Sequence, residues 1–297
     1  MWWLAPAKLN LGLRVVGRRD DGYHLLESLF VPLDLADRVR IEVEAAATTS
    51  VSMTVLGRRG DVPAGDDNLV VRAARAFLDT ARVPARVALT LDKQIPVGAG
   101  LGGGSSDAAA VLRALARHFA NKLSDSALAE IALRLGADVP FFLDPRPAWV
   151  TGIGEQIEAL PAFPAFDLLL VTPVPPLATA EVFRAYAAAL TPPSPSRRMP
   201  ALRDGPGWFP TASLLVNDLE PIAARLRPGI ERVRAEIERL GAEAVAMSGS
   251  GPTVFGLFRD AEQARSASKE GRFEATDRVL VTHSHGAPMA EESWGVV

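Results

Sequence analysis

From Trp3 to Val16 apolar residues alternate with small or polar ones, a period of two that predicts a strand, broken at Ala5-Pro6 and at Gly12. Leu9, Leu11 and Leu13 take one face, and Lys8 and Asn10 share the other. Two polar groups so placed are either the exposed side of an edge strand or a pair turned into a site. Asp21-Gly22 marks a turn, after which Leu25 to Leu33, Asp37 to Glu44 and Val51 to Leu56 read as strands. Asp66-Asp67-Asn68 caps a helix from Leu69 to about Arg82, and Arg86 to Ile95 alternates as a strand. Helical pattern returns to about His118, and again from an N-cap at Ser124 to Leu135, where Gly136 stops it as a C′ glycine. Asp138 stands between that stop and an apolar segment, Val139 to Leu143, read as a strand. Trp149 to Glu155 is a strand ending in a glycine turn.

The pattern restarts near residue 160. Phe166 to Pro173 is a strand of buried type, and Thr179 N-caps a helix. Leu190 to Pro210, rich in Pro, Ser and Gly, is expected to be a mobile loop. Leu214 to Leu226 reads as a helix interrupted by Pro221, and Pro228 to Leu240 as a helix ended by Gly241. Ala244 to Phe258 is strand, Gly-Ser turn, strand; Asp260 to Lys269 is helical; Asp277 to His283 closes the pattern. Mixed helices and strands without a repeat of fixed period give an α+β chain, divided into residues 1–155, 156–285 and a frayed tail, 286–297.

Composition narrows the function classes. With 297 residues, 48% of them hydrophobic, the chain can bury sizeable cores. A net charge of −3 supplies no general basic field for nucleic acid or anionic lipid. The absence of cysteine removes disulfides, thiolate metal sites and thiol nucleophiles. No apolar run reaches membrane-spanning length, and Met1 to Lys8 lacks the charged and apolar regions of a signal peptide, so a cytoplasmic protein is expected. His283 and His285 could share a strand face as metal ligands do, but no third ligand stands near, and metal binding there is not favoured.

The chemistry concentrates in Pro96-Val97-Gly98-Ala99-Gly100-Leu101-Gly102-Gly103-Gly104-Ser105-Ser106-Asp107. Strand pattern precedes it and a strong helix former, Ala108 to Arg117, follows, with Ser105, Ser106 and Asp107 suited to the N-cap or first turn. A glycine loop opening a helix offers free N–H groups and the positive end of the helix dipole, an anion site. No Gly-Lys-Ser/Thr closes it as in a Walker loop. Gly98, Gly100 and Gly103 have dinucleotide-binding spacing, but helical pattern continues where a second strand and its acidic residue would be needed. A phosphate cradle is the favoured reading. Ser248-Gly249-Ser250-Gly251 either packs against this loop or is a plain hairpin turn. Tyr23-His24 can stack on a base and hydrogen-bond its edge, or can simply pack over the turn with a solvated His.

Three segments in order, Ala5-Pro6-Ala7-Lys8-Leu9-Asn10-Leu11, the loop from Pro96 to Ala109, and Met247-Ser248-Gly249-Ser250-Gly251-Pro252-Thr253-Val254-Phe255, resemble the motifs of the GHMP kinase superfamily. Gly17 to His24, Gly136-Ala137-Asp138-Val139-Pro140-Phe141-Phe142 and Gly152-Ile153-Gly154-Glu155 resemble its branch acting on a cytidine diphosphate conjugate of methylerythritol. The resemblance implies an N-terminal domain like the ribosomal S5 second domain, a ferredoxin-like C-terminal domain and an active site in the cleft between them. It implies transfer of the γ-phosphoryl group of ATP, with Mg²⁺, to the 2-hydroxyl of that conjugate, in non-mevalonate isoprenoid precursor biosynthesis. Asp138 is then the general base with Lys8 beside it. ATP falls to Pro96, Gly98, Gly100, Leu101, Gly102, Gly103, Gly104, Ser105 and Ser106, with Asn68 and Lys93 near the nucleotide. Asn10, Tyr23, His24, Thr179 and Phe183 fall to the substrate, and no protein ligand is assigned to Mg²⁺. The implied partner is a small molecule, with neither nucleic acid nor membrane, on a monomer or weak homodimer. A sister kinase acting on mevalonate, homoserine or a sugar stays open, though Tyr23-His24 argues against it. A non-catalytic ATP-binding protein also stays open, against Lys8 and Asp138.

Overall fold

The computed structural model describes residues 1–56, 62–63, 65–120, 122–160, 163–189 and 215–287. The Leu190 to Pro210 loop and the tail from residue 288 on lie outside the described residues. Strands β1 (Trp2–Arg18) and β2 (His24–Ala45) form a long antiparallel hairpin closed by a turn with Gly22 at φ 92°. The breaks expected at Ala5-Pro6 and Gly12 are instead register shifts within a continuous β1, between Pro6 and Lys8 and between Asn10 and Leu13. Likewise β2 is one strand of 22 residues where two were expected, because β1 pairs with it across the polar interruption, Pro6 opposite Ala36 and Ala5 opposite Asp37.

The other edge of β2 is shared by β4 (Ala85–Asp92) and β5 (Ala148–Gly152), both antiparallel to it. Strand β3 (Ser50–Leu56) pairs parallel with β4, and β6 (Gln156–Ala159) pairs antiparallel with β5. Helices α1 (Leu69–Ala81), α2 (Gly103–His118) and α3 (Asp125–Leu135) bury apolar residues against this sheet. Asn68 and Ser124 cap α1 and α3 with their side chains, accepting from Val70 N and Ala127 N. Gly136 ends α3 in extended backbone, φ 172°, so no left-handed residue is needed there. Val139 to Leu143 is not a strand: Pro140–Leu143 forms a 3₁₀ turn, in which adjacent Phe141 and Phe142 are both buried. Proline at its start suits a helical turn, since its missing N–H would be unpaired there anyway.

The second sheet contains β7 (Asp167–Thr172), β8 (Ala244–Met247), β9 (Val254–Phe258) and β10 (Arg278–His283), antiparallel in the order β10-β7-β9-β8. Between β7 and β8 come α4 (Thr179–Ala188), α5 (Glu220–Leu226) and α6 (Gly229–Arg239), and between β9 and β10 comes α7 (Ala261–Glu270). This is the β-α-β-β-α-β order of a ferredoxin-like unit. Ala178 is the N-cap of α4, not Thr179, whose hydroxyl bonds to Ser250 Oγ at 2.9 Å instead. Pro221 lies in the first turn of α5 and does not interrupt it; Asn217 before it makes a parallel bridge to Leu13. Among the described residues no helix is long and apolar enough to cross a membrane.

Strand β1 enters three separate cores. Trp3 and Ala5 pack with α1 and α2, while Leu9 and Leu11 meet Leu168, Leu170, Phe255 and Leu257 of the second sheet. Leu13 and Val15 join a third core with Leu169, Val171, Ile222 and Val233. The register shift after Asn10 accounts for Leu13 leaving the company of Leu9 and Leu11, with which its alternation had grouped it.

Candidate active site

The glycine loop follows β4 and ends at Gly102, the N-cap of α2, which carries no side-chain cap. None of Ser105, Ser106 and Asp107 is therefore the N-cap of α2; all three lie within the helix, Ser105 in its first turn. The N–H groups of its first turn have no intrahelical acceptors, and an uncapped glycine leaves them to a ligand. Among the described residues no strand stands between α2 and α3, so the dinucleotide-binding arrangement does not form. Gly98, Gly100 and Gly102 hold φ of 63°, 76° and 71°, the left-handed region in which a side chain is strained. Close approach forbids a side chain as well. A Cβ on Gly100 would strike Ser248 O, and one on Gly102 would lie 2.8 Å from Phe142 Cζ.

The second glycine loop packs against the first. Thr253 N donates to Ala99 O at 3.4 Å and Ser248 Oγ donates to Gly100 O at 3.1 Å. Asn217 Nδ2 fixes that second loop by donating to Met247 O and Gly249 O, both at 2.8 Å. Strand β1 is tied in through Lys8 N, which donates to Leu101 O at 3.0 Å, and Asn10 N, which donates to Ser248 Oγ at 3.2 Å.

These contacts bury the polar face of β1. Lys8 is 4% exposed and Asn10 2%, so theirs is not an exposed edge. Lys8 Nζ donates to Asn10 Oδ1 at 2.5 Å, lies 4.5 Å over the Phe30 ring, and faces Asp138 Oδ2 at 3.5 Å. Asn10 Nδ2 donates to Ser28 Oγ at 2.8 Å, which fixes its Oδ1 as the acceptor toward lysine. Asp138, in the turn before Pro140, keeps about a third of its side chain exposed (32%), so its carboxylate remains reachable from the cavity.

A cavity of about 430 Å³ brings together Lys8, Asn10, Asn68, Lys93, Pro96, Gly98, Gly100, Leu101, Gly102, Gly103, Gly104, Ser105, Asp138, Thr179 and Phe183. Ser106 is buried behind the loop and does not line it. Asn68 lines the cavity, but its amide is engaged: Oδ1 accepts from Val70 N, and Nδ2 donates to Pro63 O at 2.7 Å. Tyr23 is 60% exposed and, like His24, stands off the cavity wall. His24 stacks on Phe183 with centroids 5.2 Å apart and meets Tyr186 edge-on at 5.7 Å. Burial first, then the charge of Arg18, holds the His24 pKa below its ordinary value.

The cavity also contains residues the sequence did not single out, Ser28 and Phe30 among them, together with Gly249 and Ser250 of the second glycine loop. Ser28 and Phe30 lie next but one on β2, the spacing that places residues on one face. No sequence signal marked Asp37, which pairs with Lys93 far along the chain. The arrangement can hold a polyphosphate on backbone amides and set a cation–carboxylate pair against its end.

Residues 68–144 match the family described as GHMP kinases N terminal domain, and residues 208–274 match GHMP kinases C terminal. A 4-diphosphocytidyl-2-C-methyl-D-erythritol kinase of Rhizobium etli is 43% identical, over 93% of this chain and 94% of the relative. Its counterpart from Anaeromyxobacter sp. (strain K) is 46% identical, over 89% and 83%. The crystal structure of a 4-(cytidine 5'-diphospho)-2C-methyl-D-erythritol kinase superposes with a TM-score of 0.78 at 39% identity, covering 97% of this chain and 100% of the other. With this identity running along nearly its whole length, and with the two-domain α+β fold of the GHMP kinases, the chain belongs to the family of 4-diphosphocytidyl-2-C-methyl-D-erythritol kinases.

Proposed function

We propose that this kinase transfers the γ-phosphoryl group of ATP to the 2-hydroxyl of 4-diphosphocytidyl-2-C-methyl-D-erythritol, giving the 2-phosphate and ADP in isoprenoid precursor biosynthesis. It does so in the cytoplasm as a monomer or weak homodimer. The observation that carries the mechanism is the Lys8–Asp138 pair, 3.5 Å apart and opening on the same cavity as the uncapped start of α2.

Phosphoryl transfer needs in-line positioning and charge stabilisation more than covalent help. The amides from Gly100 to Ser105 cradle the phosphates. Asp138 accepts the proton of the attacking hydroxyl, a role worth about 10²–10⁴-fold in rate. Lys8, fixed by Asn10, holds its charge beside that carboxylate and offsets the negative charge that develops at the transferring group. Thr179 and Phe183 line the cavity at the substrate end, His24 stacks on Phe183, and the cytosine is assigned to His24 and Tyr23.

Mg²⁺ is held mostly by phosphate oxygens and water, with one or two carboxylates at most. The donors here fit that pattern: Asp138 and Ser105 both line the cavity. Those two side chains would hold the ion, which when bound neutralises phosphate charge.

The deciding experiment is ADP release from Mg-ATP with the diphosphocytidyl substrate, mevalonate or homoserine offered separately. Release with the cytidyl substrate alone is expected. Release only with another alcohol would replace the substrate, and ATP binding without any turnover would remove the catalytic reading.

A further inference from the structure

One group of buried charges takes no part in that mechanism. Asp37 of β2, Lys93 after β4 and Asp107 of α2 meet beneath the glycine loop, each at most 5% exposed. Lys93 Nζ donates to Asp37 Oδ2 and, at 2.8 Å, to Asp107 Oδ2. The other oxygen of Asp37 accepts from Gln94 N and, at 2.8 Å, from Ile95 N, the backbone groups just before the loop begins at Pro96. Asp107 lies one turn beyond the point where the loop becomes α2. The ammonium thus ties the entrance of the loop to its exit. Lys93 and Asp107 both line the cavity, and Gly103 passes so close that a Cβ there would lie 3.1 Å from Lys93 Nζ. Asp107 Oδ1 is enclosed and has no hydrogen-bond partner among the described residues.

We propose that Asp37 and Asp107 are positioning residues for the nucleotide: gripping Lys93 from two sides, they hold the ends of the glycine loop at the separation its phosphates require. The inference rests on the ATP reading of that loop. The electrostatics of the cluster agree with it. Two carboxylates around one ammonium, all out of water, carry a surplus negative charge next to a phosphate site. Burial above all, with Asp37 adding to it against the pull of Lys93, raises the Asp107 pKa well above the usual carboxylate range. Burial opposes the charge on Lys93, but Asp107 and Asp37 outweigh it and raise its pKa above the ordinary value. Burial therefore disfavours the charge at Asp107, while the ammonium of Lys93 is favoured. An amide at position 107, which still accepts from Lys93, should serve nearly as well as the acid.

The test compares Asp107→Ala, Asp107→Asn and Asp37→Asn with the wild type by steady-state kinetics. In Asp107→Ala the KM for ATP should rise by about tenfold or more, with kcat and the KM for the alcohol substrate little changed, the mark of lost nucleotide binding. Asp107→Asn should restore the ATP KM, and Asp37→Asn should raise it, which keeps the test open if Asp107→Ala does not fold. An unchanged ATP KM in the alanine or Asp37 variant, a proportionate loss in both KM values and kcat, or an asparagine no better than alanine would overturn the proposal. A wild type that binds no Mg-ATP would overturn the functional reading itself, before any variant is compared.

Discussion

In the proposed mechanism turnover depends on Asp138, which faces Lys8 at 3.5 Å. Asp138→Asn keeps the shape of the side chain but cannot accept the proton, so kcat should fall by about 10²–10⁴-fold while Mg-ATP binding, followed by calorimetry, persists. Retained turnover would end the general-base assignment. His24 gives a pH dependence whose sign can be worked out. Burial and then Arg18 hold its pKa below 6.5, so the folded protein keeps it neutral where the unfolded chain takes up a proton. Its contribution to stability is intact above 6.5 and is lost as pH falls from there toward the folded-state pKa. Affinity for the diphosphocytidyl substrate, which meets only the folded state, should hold down to the folded-state pKa, below 6.5, and weaken beneath it. Arg18→Gln should raise the His24 midpoint in an NMR titration; a midpoint that stays put or drops would refute the Arg18 contribution. Lys8, Asn10, Asp138 and the loop glycines were legible in the sequence because short motifs carry them. The bond from Asn68 Nδ2 to Pro63 O and the outlying position of Tyr23 were not, because neither is set by a short motif.

At the level of elements, the two glycine loops act as one device. Gly100→Ala would place a methyl group against Ser248 O, and 3.0 Å from Gly251 O, on a residue at φ 76°. The backbone strain alone is about 1–3 kcal/mol. A lower melting temperature and a raised ATP KM should appear together; an unchanged melting temperature would show that the loops are not held in contact. Periodicity located nearly every helix and strand, since most have one buried and one exposed side. It failed where both sides are buried or where pairing overrides a local break. Phe141 and Phe142 read as strand but form a 3₁₀ turn, and β2 runs on through Asp34 and Leu35, with β1 paired on either side of them at Pro32 and Ala36. Thr179 looks like a cap, yet its hydroxyl reaches across to Ser250.

Over the whole molecule, the first strand decides cooperativity. Leu11 is buried where β1 meets the second sheet, so Leu11→Ala should cost about 2–5 kcal/mol. Hydrogen exchange should show that loss in both sheets, because β1 is common to their cores; protection lost from one sheet alone would indicate separate unfolding. How β1 is shared could not be read from its own alternation, since its partners come from the far end of the chain. That distance has a consequence in time. The bond from Asn10 N to Ser248 Oγ spans 238 residues. At typical rates of synthesis a ribosome needs roughly 10–50 s to cover that interval. Through it the strand bearing Lys8 and Asn10 exists without the loop that buries it, so a nascent chain arrested before Ser248 would carry the whole phosphate loop and Asp138 and still lack a finished catalytic centre.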